Sequence, residues 1–318
     1  MSNELELKFA LPATYLPQLI SLLPQLAQVQ HQAEHALLNA YFDTADNWFR
    51  RHDMGLRSRL KNGCYEQTIK LSGQQHGALQ MRPEYNVPCA SVLPVLADFP
   101  PHIWPEKTDV TALQHQLTEL FRTDFVRHSW QLDTRDGSRV ELAYDAGCIG
   151  ASGKQQPIAE LELELLSGNG ETLFSLARQL LNSLPLQAGW LSKAARGYLL
   201  RSGQPLSLPA PAADRNVTVT QPLTTLLSTL LSALQQAEAC YPQQGTLALK
   251  VTAQYLQQLA DTLKQTALDV LAAKAQQFAK HCAEGEPVFA STAYQLWLLD
   301  VSHYLYQQSG DGGQHDNG

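Results

Sequence analysis

The segment Glu160–Leu165 reads ELELEL, so three glutamates would stand side by side on one face of a strand. Side chains at i, i+2 and i+4 of a strand point the same way, and like charges on one face repel. Such a strand is stable only where its carboxylates meet cations. The pattern recurs. Glu4, Glu6 and Lys8 alternate with Leu5, Leu7 and Phe9; Arg57 and Arg59 share a face in Gly55–Leu60. Glu66, Thr68 and Lys70 align against Ile69 and Leu71, Arg82 aligns with Glu84, and Glu141 aligns with Asp145. A solvated antiparallel sheet also has one polar face, but it mixes Thr, Ser and Gln with its charges. Here one face is almost wholly charged in six segments.

The opposite face of these strands is apolar and also needs cover. Leucine spacing predicts amphipathic helices over Leu11–Val29 and Thr172–Leu184 that would supply it. The expected architecture is α+β: a curled or closed antiparallel sheet, helix-covered outside and lined with charge inside. Arg57, Arg59, Lys70 and Arg82, with Arg127, Lys193 and Arg196, would surround a polyanion. Glu4, Glu6, Asp145, Glu160 and Glu162 would hold divalent metal ions, and all-oxygen ligation favours Mg²⁺ or Mn²⁺ over zinc. Polyanion, metal and water together suggest phosphoryl or nucleotidyl transfer.

The rest of the chain narrows the field. Net charge is −7 over 318 residues, against the basic balance of a dedicated nucleic-acid binder. No apolar run is long enough to span a membrane, and MSNELELKF has charges where a signal peptide is apolar. Five widely spaced cysteines without CxxC, and no HExxH, argue for a reduced, cytoplasmic protein without a zinc ribbon. Ser202–Ala213 is proline-rich and reads as a linker. Beyond it, Leu223, Leu226, Leu227, Leu230, Leu231 and Leu234 mark a helix, followed by helical stretches over Thr246–His281, broken once, and Ser291–Gln307. The expected division is 1–201 for the charged sheet, 202–217 for the linker, 218–308 for a helical domain and 309–318 for a disordered tail.

ELELK at Glu4–Lys8 resembles the ExExK signature of the CYTH, or triphosphate tunnel metalloenzyme, superfamily. YFDT (Tyr41–Thr44), LRSR (Leu56–Arg59), TIK (Thr68–Lys70), RPEYN (Arg82–Asn86), ELAYD (Glu141–Asp145), ELELEL and SKAARGY (Ser192–Tyr198) resemble its later blocks in order. Over about residues 1–200 the chain is most similar to bacterial inorganic triphosphatases with an N-terminal CYTH and a C-terminal CHAD domain.

That resemblance implies an eight-stranded closed antiparallel β-barrel, a tunnel in which Mg²⁺ supports hydrolysis of inorganic tripolyphosphate to pyrophosphate and phosphate. It implies catalytic roles for Glu4, Glu6, Lys8 and Lys70, and metal ligation by Glu4, Glu6, Glu84, Asp145, Glu160 and Glu162. Phosphate contacts would come from Lys8, Arg57, Arg59, Lys70, Arg82, Arg127, Lys193 and Arg196. Glu164 is a weaker ligand candidate, and Asp43 reads as a turn or cap residue. Two features depart from the family. Asn86 stands where many members carry a charge. The helical part has four lysines and no arginine after Arg215, so it resembles at most a shortened or degenerate CHAD domain, and its protein partner is unknown. Alternatives within the superfamily are nucleoside or thiamine triphosphatase and adenylyl cyclase activity; outside enzymes, a polyphosphate-binding module. The last has no need of so many paired carboxylates.

Overall fold

The computed structural model describes residues 2–210 and 222–309. The chain opens with β1 (Ser2–Ala10), helix α1 (Leu16–Leu26), β2 (Gln28–Asp43) and the short α2 (Trp48–Arg51). Strands β3 (Gly55–Lys61), β4 (Cys64–Lys70), β5 (Gln74–His76) and β6 (Leu79–Cys89) follow. After α3 (Val110–His115) come β7 (Thr118–Asp133), β8 (Arg139–Ala151) and β9 (Lys154–Ser167). Next are α4 (Glu171–Ser183), β10 (Gln187–Ala188) and α5 (Lys193–Ser202). Four long helices complete the described chain: α6 (Leu223–Gln244), α7 (Thr246–Gln265), α8 (Asp269–Ala283) and α9 (Thr292–Gln308).

Eight strands pair antiparallel in the order β1-β9-β8-β7-β2-β3-β4-β6, and β6 pairs back to β1, closing a barrel. Closure removes the exposed strand edges an open sheet would leave. The short β5 and β10 add to β6 and β1 at the margin. Alternation decides which face goes in. Leu5, Leu7, Phe9, Leu142, Tyr144, Leu161, Leu163 and Leu165 point outward into a core shared with Leu19 and Leu23 of α1 and with Leu173, Phe174, Leu176, Leu180 and Leu181 of α4. Each buried leucine contributes roughly 1.5–3 kcal/mol, so this stripe fixes the register and forces the charged alternates inside. Helix α1 is shorter than its leucine spacing suggests: Pro12 precedes a single 3-10 turn, Pro17 starts the helix, and Val29 already belongs to β2.

The outer face of β2, β3, β4 and β6 has a cover the sequence reading does not anticipate. The proline-rich stretch between β6 and β7 folds back and contributes Leu96, Phe99, Ile103 and Leu113 to a core with Phe42, Leu56, Ile69 and Tyr85.

The C-terminal helices pack on one another through Leu230, Leu234, Leu256, Leu259 and Trp297. They also reach the barrel. Leu299 and Tyr306 of α9 belong to the same core as α4, Arg178 pairs with Asp300, and His303 stacks on Phe174. Within the expected linker, Ser202 is the last residue of α5, and 203–210 have no regular secondary structure. Residues 211–217 of that linker and 310–318 of the expected tail lie outside the described residues. No helix among the described residues is long and apolar enough to cross a membrane, and the five cysteines are unpaired.

Candidate functional site

The inward alternates enclose a cavity of about 580 Å³. Of the charged residues the sequence singles out, Glu4, Glu6, Lys8, Arg57, Arg59, Lys70, Arg82, Glu84, Arg127, Glu162 and Lys193 line it. Asp145 and Glu160 lie behind Lys193, fully or almost fully buried, and Arg196 is bonded to Glu160. The lining also includes Arg50, Asp53–Gly55, Leu71–Gly73 and Ser192–Ala195, which gather at the end of the barrel where β2 finishes and β3 begins.

Helix α5 is set into that same end. Ser192 caps it by accepting from the Ala195 amide at 3.1 Å. Ala194 and Tyr198 pack against Phe121, Phe125, Ile149 and Ile158, which share the inner face with Arg127, Asp145 and Glu160. Gly197 permits the approach: a Cβ there would lie 2.1 Å from the Phe121 ring. The helix thereby delivers Lys193, its first residue, into the charged interior.

The interior charges divide into three groups. In the first, Lys193 Nζ lies 2.8 Å from carboxylate oxygens of Asp145, Glu160 and Glu162. Arg127 is bidentate to Asp145, with both contacts at 2.7 Å, and also reaches Glu162. Burial opposes all these charges, but the partners outweigh it: Lys193 and Arg127 are held well above their ordinary pKa and Glu162 well below its own.

In the second group, Lys70 bridges Glu4 and Glu84. Asn86 donates to Glu84 at 2.8 Å and accepts from Thr68 at 2.7 Å, so the uncharged family departure steadies a carboxylate. Burial raises the Glu84 pKa, yet Lys70 and Arg57 pull it down to about 2.

The third group consists of charges without an opposite partner. Among the described residues no carboxylate pairs with Lys8, Arg59 or Arg82, and no cation pairs with Glu6 or Glu164. Burial, then repulsion from Glu4 and Glu162, pushes Glu6 up to about 7; burial, then Glu4 and Glu6, pushes Glu164 up to about 8. Arg59 falls to about 10 through burial and its neighbours Arg57 and Arg127, and burial lowers Lys8. The buried Nε of Arg57 and Nε2 of Gln80 have no hydrogen-bond partner. Buried donors and charges left this way are costly without a ligand.

The chemistry of the set fits a hard divalent cation. Glu4, Glu6 and Glu164 offer only oxygen, and they repel one another. They are not gathered tightly: the one trio of ligand atoms within 4.8 Å among the described residues is His281, Glu284 and Glu286, with both glutamates exposed, on and just after α8. Mg²⁺ keeps several waters and takes one or two carboxylates plus substrate phosphates, so a loose carboxylate set suits it.

Several lining or supporting residues lie outside the charged pattern. Gln80 and Tyr41 line the cavity, and Asn39 and Thr123 support Arg59; Glu164, a weaker ligand candidate from the sequence, also lines it. Glu66 and Lys61 are exposed, and Glu141 stands 4.0 Å from Arg127.

The description of the CYTH domain matches residues 2–198. An inorganic triphosphatase from Haemophilus influenzae is 34% identical over 209 residues; the match covers 64% of this chain, which spans 56% of that relative's length. Among solved structures, a putative adenylyl cyclase from Hippeastrum, described as having a dominant triphosphatase activity, is 18% identical, with 63% of this chain and 96% of that chain covered and a TM-score of 0.43. A putative adenylate cyclase from Bacillus halodurans is 19% identical, with 57% and 89% covered and a TM-score of 0.36.

Proposed function

Because the chain belongs to the CYTH domain family, we propose that its barrel is a metal-dependent inorganic triphosphatase, cleaving tripolyphosphate to pyrophosphate and phosphate. The observation that carries this reading is the coexistence, in one cavity, of cations without carboxylates and carboxylates without cations. Each half suits one part of a metal–polyphosphate ligand. Lys8, Arg59 and Arg82, together with the unsatisfied Nε of Arg57, would grip phosphoryl oxygens. Lys70 would hold Glu4 and Glu84 in place while presenting its remaining donor capacity to the substrate.

Glu4 and Glu6, with Glu164 beside them, would hold Mg²⁺ or Mn²⁺. When bound, the ion would offset charge on the phosphates and polarise the phosphorus under attack. Glu84 would join them only by giving up part of its bond to Lys70. Asp145, Glu160 and Glu162 are other ligand candidates; as they stand they serve Lys193, Arg127 and Arg196, which fixes three cations at one end of the cavity. The barrel wall partly shields these contacts, so they act at a lower effective dielectric than in bulk water.

The division between the barrel at 1–201 and the helices at 218–308 is part of the same proposal, with α9 as the element they share. The protein would work in the cytoplasm, with no nucleic acid or membrane as partner.

Phosphate release should be compared for tripolyphosphate, ATP and thiamine triphosphate on one preparation, with Mg²⁺ and then with chelator. Tripolyphosphate should be the preferred substrate and the chelator should abolish release. Preference for ATP, or cyclic AMP as main product, would move the assignment elsewhere in the family. Tight binding of tripolyphosphate without turnover under any divalent ion would indicate a binding module.

A further inference from the structure

Arg59 faces the cavity with no ion pair, yet it is not loose. Its Nε donates to Oδ1 of Asn39 at 2.8 Å, and Nδ2 of Asn39 donates to Oγ1 of Thr123 at 2.9 Å. The three residues form one row across neighbouring strands, because Asn39 is registered with Arg59 on β3 and with Thr123 on β7. Asn39 and Thr123 are both fully buried. The orientation of the amide is chemically forced. An arginine Nε–H can only donate, so the amide oxygen must face it, and the NH₂ is left for the threonine hydroxyl.

Four of the other interior cations are steadied differently, while Lys8 Nζ donates to the neutral carbonyl of Leu191 at 3.0 Å. Lys70, Arg127, Lys193 and Arg196 are positioned by carboxylates, which also neutralise them. A neutral acceptor fixes the direction of a guanidinium and leaves its charge and both terminal amino groups available. Aspartate has nearly the same shape as asparagine and would make a charge-assisted pair with the Arg59 Nε–H, its second oxygen accepting from the Thr123 hydroxyl.

We propose that Asn39, held by Thr123, is a positioning residue that presents Arg59 to the anionic substrate as an unneutralised cation, and that its being an amide sets how strongly the cavity takes up polyphosphate. The inference rests on the triphosphatase reading for its substrate, while the geometry of the row stands without it. Asn39 does not itself reach the ligand.

The test uses the full chain and the variants Asn39→Asp, Asn39→Ala and Arg59→Ala, each first checked for a native melting transition. Two readouts follow. One is the Arg59 Nε–Hε signal in a ¹⁵N spectrum of the metal-free, substrate-free protein. It should exchange slowly in the wild type, exchange faster in Asn39→Ala, and shift while staying protected in Asn39→Asp. The other is KM and kcat for tripolyphosphate with Mg²⁺. Asn39→Asp should raise KM by about tenfold or more, the scale of one charge-assisted contact, with kcat changed by less than about threefold. Asn39→Ala should raise KM less. In an Arg59→Ala background, Asn39→Asp should add almost nothing, a non-additivity that a purely structural asparagine would not produce.

An unchanged Arg59 signal in Asn39→Ala overturns the positioning role, whatever the enzyme hydrolyses. Equal KM in the wild type and Asn39→Asp overturns the role of the amide. A wild type that neither binds nor hydrolyses tripolyphosphate defeats the triphosphatase reading instead, and with it the substrate named for Arg59; the spectrum still decides the row.

Discussion

The hydroxyl of Tyr198, midway along α5, donates to Asp43 at the end of β2 across 2.6 Å, although 155 residues separate the two. The buried Asp43 also accepts from the backbone amides of Thr44, Phe49 and Arg50 at 2.7, 2.8 and 3.1 Å. One carboxylate thus joins a strand end, a short helix and the helix set into the barrel. The Arg50 guanidinium lies 4.5 Å over the Tyr198 ring and frames the same side of the cavity.

Tyr198→Phe removes one donor from a carboxylate that retains three. The expected loss is about 1.5–3 kcal/mol, the range for hydrogen bonds to charged groups. Urea denaturation would measure it. A loss below about 0.5 kcal/mol would mean that this bond does not anchor α5.

Lys193→Met leaves Asp145, Glu160 and Glu162 without their shared cation. Removing one partner of a buried network typically costs about 3–5 kcal/mol, so this variant should be far less stable than Lys193→Arg. Denaturation of both variants at neutral pH is the check, and a fully stable Lys193→Met would show that water already reaches those carboxylates.

Glu164→Gln removes one oxygen ligand candidate and keeps the shape. If Glu164 helps to hold the ion, the Mg²⁺ concentration for half-maximal phosphate release should rise about tenfold, which corresponds to about 1.4 kcal/mol. The KM for tripolyphosphate at saturating Mg²⁺ should change little. A Mg²⁺ titration identical to wild type would take Glu164 out of the metal site.

Glu238 of α6 is partly buried among the C-terminal helices and accepts the Tyr294 hydroxyl; burial pushes its pKa up to about 8. A carboxyl whose folded pKa exceeds its unfolded value of about 4.3 binds more protons in the folded state between those pH values. Its contribution is complete below about pH 4.3 and declines as pH rises through about 8, by at most a few kcal/mol. Glu238→Gln should flatten this part of the stability profile, measured by denaturant melts from pH 5 to 9. A profile as steep as wild type would assign the dependence to other groups.

Leu299→Ala opens a cavity where α9 meets α4 and the barrel's outer core. The expected cost is about 2–5 kcal/mol. Hydrogen exchange should report faster opening in α4 as well as in α9. Loss of protection confined to α6–α9 would show that the helices are not coupled to the barrel.

The charged lining was legible because strand alternation is local: ELELK and ELELEL declare their two faces within six residues. The apolar alternates told equally clearly that helices would lie outside, and the C-terminal helices follow their leucine spacing closely. Other features depend on partners far along the chain. Asn39 in LLNAYFD resembles an ordinary polar strand residue, and its role depends on Thr123, 84 positions later. The stretch holding Leu96, Phe99 and Ile103 has too many prolines for a helical or alternating pattern, so its apolar residues show no common face until the chain folds back. Helix α5 mixes charge and small residues, and only the narrow gap at Gly197 and Phe121 reveals that it enters the barrel. The spacing of Leu16–Leu26 carried the helix expectation too far because Val29 extends the same count, although the chain is already strand from Gln28.

The seam of the barrel has a consequence for how the molecule assembles. Strand β1 is held on one side by β6 and on the other by β9, so it cannot have both neighbours until the chain has been made as far as Glu164. Long-range pairing of this kind slows folding. Until then the edge of β1 that meets β9 stays unpaired. A nascent chain stalled before β9 would therefore be the stage most open to chaperones and to aggregation.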